Sequence, residues 1–74
     1  MGLRTLKLRR LLLEEAARRE AHADELAELA ARATTAFHAP TLRNLVHSQR
    51  VRAMELRGQA AVLDMGLHQT RQML

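Results

Sequence analysis

The sequence predicts an all-α protein: a single antiparallel αα-hairpin of two long helices, completed by association with a partner or by dimerisation. Three observations predict it. Apolar residues recur at helical spacing through both halves of the 74-residue chain. No stretch alternates with the two-residue period of a strand. One strong break, around Pro40, divides the two helical patterns.

Helix 1 is expected from about residue 3 to 37. At about 100° per residue, one face collects Leu8, Leu12, Ala16, Ala23, Leu26, Ala30, Ala33 and Phe37, with Glu20, Asp24 and Glu28 on the opposite side. The i,i+4 pairs Glu14–Arg18, Glu15–Arg19 and Glu28–Arg32 run in the favourable order and add about 0.2–0.5 kcal/mol each. The turn is expected at 38–40. A Thr pair precedes it, Ala39 is biased away from helical geometry by the following proline, and Pro40 suits the first turn of a new helix.

Helix 2 is expected from about 41 to 72, with a stripe of Leu42, Leu45, Gln49, Ala53, Leu56, Ala60, Leu63, Leu67 and Leu74. Packing the stripes together makes Leu12, Leu26, Ala30, Phe37, Leu45, Leu56, Leu63 and Leu67 the hairpin core. It also sets the acidic middle of helix 1 beside the arginine-rich helix 2. Residues 11–38 hold six acids against three arginines, whereas 39–74 hold five arginines against two acids. Arg19 and Gln49 are the polar members of the stripes. Either Arg19 lays its stem in the seam with its head outside, or the two fix register as buried polar groups do in coiled coils.

Helix 2 has a second apolar side. Val51, Met54, Gly58, Ala61, Val62 and Met65 point away from the leucine stripe, and two helices cannot cover both sides. A chain of this size is marginal on its own core, and the absence of cysteine removes both disulfides and thiolate zinc sites as substitutes. The second side is therefore read as an interface for a protein partner or another copy, with adaptable methionines and Gly58 permitting close approach.

Other functions find little footing. His22, His38, His47 and His68 have no i,i+3 or i,i+4 partner among themselves, so no metal or cofactor is expected. His47 and Ser48 are adjacent, about 100° apart on a helix, which separates nucleophile from base. With no glycine-rich phosphate loop, no small-molecule substrate is expected and the chain reads as a non-enzyme. The basic, leucine-rich start carries Arg4, Lys7, Arg9 and Arg10 but no signal-peptide pattern, and no apolar run approaches a membrane span of roughly 18 residues. A cytoplasmic location follows as the expectation. A flank of Arg43, Arg50 and Arg57 opens the alternative of a homodimeric four-helix bundle binding RNA, as plasmid-copy-control proteins of the Rop type do, and "HADEL" at 22–26 looks like a short piece of one.

Over about residues 10–65 the chain resembles the small E-type cochaperones of bacterial type III secretion systems, the YscE/PscE family. The residues that carry the resemblance are the first helix "EEAARREAHADELAELAAR", the break before Pro40, and the second helix "PTLRNLVHSQRVRAMELRGQAAVL". The resemblance implies a cytoplasmic helical hairpin that pairs with a helical-repeat chaperone and so helps keep the needle subunit unpolymerised. It also implies heterodimerisation in place of homodimerisation.

Overall fold

The computed structural model describes the backbone of residues 2–33 and 38–73, and side chains as far as residue 66. Within it, α1 runs Gly2–Arg32 and α2 runs His38–Met73. The two pack side by side as an antiparallel hairpin 60 Å long and only 15 × 12 Å in section. Ala, Leu, Arg and Glu, all good helix formers, dominate α1. Its last turn tightens where the Ala33 N–H donates to the Ala30 carbonyl at 3.3 Å. The segment expected as the turn, 38–40, is instead the opening of α2. Pro40 fits there because the first four N–H groups of a helix have no intrahelical acceptor, so the one it lacks is not missed.

The buried and half-buried positions define the seam. Along α1 they include Thr5, Arg9, Leu12, Ala16, Arg19, Ala23, Leu26, Ala30 and Ala33, and along α2 Ala39, Leu42, Val46, Gln49, Ala53, Leu56, Ala60 and Leu63. Steps of three and four alternate throughout, giving the 3.5-residue repeat of a coiled-coil pair. Ala16, Ala53 and Leu56 form the central cluster, with Leu12 packed against it. This register sets Leu12 level with Ala60 and Ala30 level with Leu42, so large residues face small ones across the seam. Alanine lets the backbones come close but buries little area. Among the described residues five apolar side chains are buried, and Leu56 is the one of them that is not alanine.

Two stripe assignments need correction, and Glu20 and Asp24, expected opposite the stripe, instead flank the seam and pair with α2. Leu8 is 49% exposed and Leu45 46%. Arg9 and Val46 occupy the seam in their place. Leu12, Leu26, Ala30 and Leu63 are half-buried core residues and Leu56 is buried, as expected. Phe37 and Leu74 fall outside the described residues; Leu67 lies in α2, its side chain undescribed.

Ion pairs along the flanks hold the antiparallel register. Arg57 pairs with Glu20, Arg50 Nη2 lies 3.5 Å from Asp24 Oδ1, and Arg9 Nε lies 2.5 Å from Asp64 Oδ1. The Arg9 contact lacks hydrogen-bond alignment and leaves its buried Nε without a directed acceptor, so it is a charge contact. Within α1 the expected Glu15–Arg19 and Glu28–Arg32 pairs form, at 2.9 and 3.5 Å. Glu14 takes Arg10 instead of Arg18, at 3.8 Å, and Arg18 turns to Glu15.

The two polar stripe residues find each other. Arg19 Nη1 donates to Gln49 Oε1 at 3.2 Å while its Nε donates to Glu15 Oε1 at 2.9 Å. Because the Arg19 side chain stays 39% exposed, its head can regain water if this bond is lost. Gln49→Leu is accordingly expected to shift stability by no more than about 1 kcal/mol, read as the urea midpoint.

Two carboxyls feel these contacts. Hydrogen bonds from Arg18 and then Arg19 hold Glu15 below the ordinary value of 4.5, and a hydrogen bond from Arg57 does the same for Glu20. A depressed folded-state value stabilises the fold above the unfolded value, and that contribution is lost as pH falls through the folded one. The melting temperature is therefore expected to decline as pH drops below about 4.5, modestly, since these groups are exposed and screened. Thermal melts across pH 2–6 check the sign.

Candidate protein-binding face

With α1 covering one side of α2, the other side of α2 faces outward. Val51, Met54, Gly58, Ala61, Val62 and Met65 are all exposed there. Met54 is 68% exposed, Val62 66% and Met65 62%. Val51, Met54, Gly58, Ala61 and Met65 repeat the alternation of three and four. α2 therefore carries two seams, one used within the chain and one turned outward. The outer surface of α1 is different, being occupied by Arg18, Ala21, Glu25, Glu28 and Arg32.

The flank nearest α1 is the basic row singled out from the sequence. Two of its three arginines are engaged: Glu20 binds Arg57 and raises its pKa, and Asp24 faces Arg50. Arg43 borders a shallow cleft of about 250 Å³, lined also by Ala27, Ala30, Ala31 and Val46 near the connected end. On the other flank Arg52 Nη1 donates to Glu55 Oε2 at 3.1 Å. The face is thus an apolar strip between rows of internally matched charge, which leaves shape and burial as its main recognition elements.

A second apolar set occupies the free end of α1. Leu3 is 85% exposed, Leu6 52%, Leu8 49% and Leu11 48%, interleaved with Arg4, Lys7 and Arg10. These side chains spread around the helix and form no single strip. No described helix is long and apolar enough to cross a membrane. Among the described residues no group of three or more His, Cys, Asp or Glu side chains could hold a metal ion.

The extent of uncovered surface is measurable. The chain exposes 5918 Å². A compact monomer of 8.4 kDa exposes about 4,600 Å², so the hairpin carries roughly 1,300 Å² more than its mass requires.

No protein-family model, curated protein or solved structure matches the chain. Its function is argued from the face itself.

Proposed function

We propose that this chain is a non-enzymatic, protein-binding helical hairpin that offers the outer strip of α2 to an apolar helix of a partner. The observation that carries this reading is the exposed strip of Val51, Met54, Gly58, Ala61, Val62 and Met65 on a helix whose opposite side is already used. Water-exposed apolar surface at helical spacing is what a helix-in-groove or bundle partner buries. Unbranched methionines adapt their shape to such a partner, and Gly58 permits close approach.

The concrete setting we assign is that of a cytoplasmic cochaperone, one that stabilises a helical chaperone or apparatus subunit of a type III secretion system. The hairpin architecture and the resemblance over about residues 10–65 support it. In that role the chain acts by burial alone: covering its own strip stabilises the partner that holds the aggregation-prone subunit. The alternative, RNA binding through Arg43, Arg50 and Arg57, has weaker support because Asp24 and Glu20 already neutralise two of the three cations.

Co-expression with the needle and needle-chaperone proteins of a type III secretion system, followed by co-purification, tests the assignment. A stable complex is expected. Met65→Glu is expected to lower its affinity at least tenfold while leaving the helicity of the free chain unchanged, because Met65 is 62% exposed in the hairpin. Unchanged affinity would overturn this use of the α2 face.

A further inference from the structure

We infer that the outer face of α2 is self-complementary and that, in the absence of another partner, it is covered by a second copy of this chain packed antiparallel about a two-fold axis at Gly58. The inference rests on the docking face proposed above but not on the identity of its partner.

The first ground is the arrangement about Gly58. Val51 and Met65 stand seven residues to either side, and Met54 and Val62 four. Reversing a second α2 against the first therefore sets Val51 level with the other copy's Met65 and Met54 level with its Val62. Gly58 meets Gly58 at the axis, where two crossing helices approach most closely.

The second ground is Gly58 itself. Glycine inside a helix costs about 0.5–1 kcal/mol relative to alanine. A Cβ built there meets nothing within 4 Å in the chain, so packing inside the hairpin does not call for glycine. Close approach of another backbone does.

Charge agrees with the antiparallel direction, although Arg50 and Asp64 also meet Asp24 and Arg9 within the chain. Arg50 and Asp64 lie on the same flank of the strip, eight residues before Gly58 and six after it. Antiparallel packing brings each Arg50 within about 3 Å, along the axis, of the other copy's Asp64. Parallel packing would put the two Arg50–Asp64 flanks on opposite sides of the pair, out of each other's reach. Arg57, close to the axis, brings its own counter-ion in Glu20.

The area fits a reversible contact. From Val51 to Met65 the strip is about 21 Å long, so a contact one helix wide buries less than the roughly 1,200 Å² of a stable interface and forms a weak dimer. The four helices then lie in a row, α1–α2–α2–α1, with two inner seams and one central one.

Sedimentation of the full chain tests this, with cross-linking to locate the contact. A dimer that dissociates on dilution through the micromolar range is expected. The chain has no native cysteine, so single replacements are clean. Gly58→Cys is expected to form a disulfide-linked dimer on mild oxidation, since Cα atoms at such a crossing approach disulfide range. Ala21→Cys, exposed on the outer side of α1, is expected to cross-link at least tenfold more slowly. Both variants should keep wild-type helicity. A monomer at every concentration, or equal cross-linking at the two positions, would overturn the inference. Loss of the dimer with partner binding intact would overturn it alone. A dimer as described, beside a partner complex that Met65→Glu leaves untouched, would overturn the partner reading alone.

Discussion

Replacing Leu56 by alanine is expected to unfold most of the chain at 25 °C. Leu56 is 4% exposed and is the one large side chain among the five buried apolar residues of the described part. It fills the space that Ala16 and Ala53 leave between the helices. Deleting a buried leucine typically costs about 2–5 kcal/mol, which combines lost transfer energy with the cavity left behind. Elsewhere the seam is built of alanine, half-exposed apolar side chains and the polar Arg9, Arg19 and Gln49, so little other burial offsets the loss. A chain of this size has little stability in reserve, so the loss takes most of it. Far-ultraviolet circular dichroism with a urea titration reads the result. A midpoint shift worth under about 1 kcal/mol would mean that the hairpin does not rest on this cluster.

Ala16→Asp is expected to act as strongly and to reverse the pH response. Ala16 is fully buried level with Leu56, and a carboxylate held there away from water carries a desolvation cost of several kcal/mol. Burial raises the folded-state value of that carboxyl above its unfolded one. The ionised form then opposes folding, and the penalty is present at neutral pH and fades as the group protonates. The variant should be largely unfolded at pH 7 and regain helicity toward pH 4. The native chain, whose Glu15 and Glu20 are held below 4.5, loses stability in that direction. Helicity followed across the same pH range in both proteins checks the crossover. A variant that melts like the native chain at pH 7 would place position 16 in contact with water.

Both predictions concern a seam that the sequence reveals only in part. Leu12, Ala16, Ala23, Leu26, Ala53, Leu56, Ala60 and Leu63 can be identified because apolar residues at steps of three and four mark one side of a helix, whatever that side packs against. The outward strip from Val51 to Met65 is legible by the same rule. Leu8 and Leu45 lie outside the seam because apolar character alone does not decide burial. Each sits one residue off the seam at an edge half open to water. At Arg9 the seam takes a cation whose charge is met by Asp64, a residue on the other helix that nothing in the α1 pattern announces. Leu45 and Val46 are both apolar, and the facing helix decides between them.

By itself, then, the sequence determined two helices, the break before Pro40, the acidic and basic halves that face each other, and a helix with two apolar sides. Each of these depends on residues close together along the chain, where propensity and spacing act directly. Only the tertiary structure decided that Arg19 bonds to Gln49, that Glu20 and Asp24 pair with Arg57 and Arg50, and that alanine faces leucine across the seam. Those outcomes depend on the register between two distant segments. Register follows from how side-chain volumes and charges match across the gap, and neither helix carries that information alone.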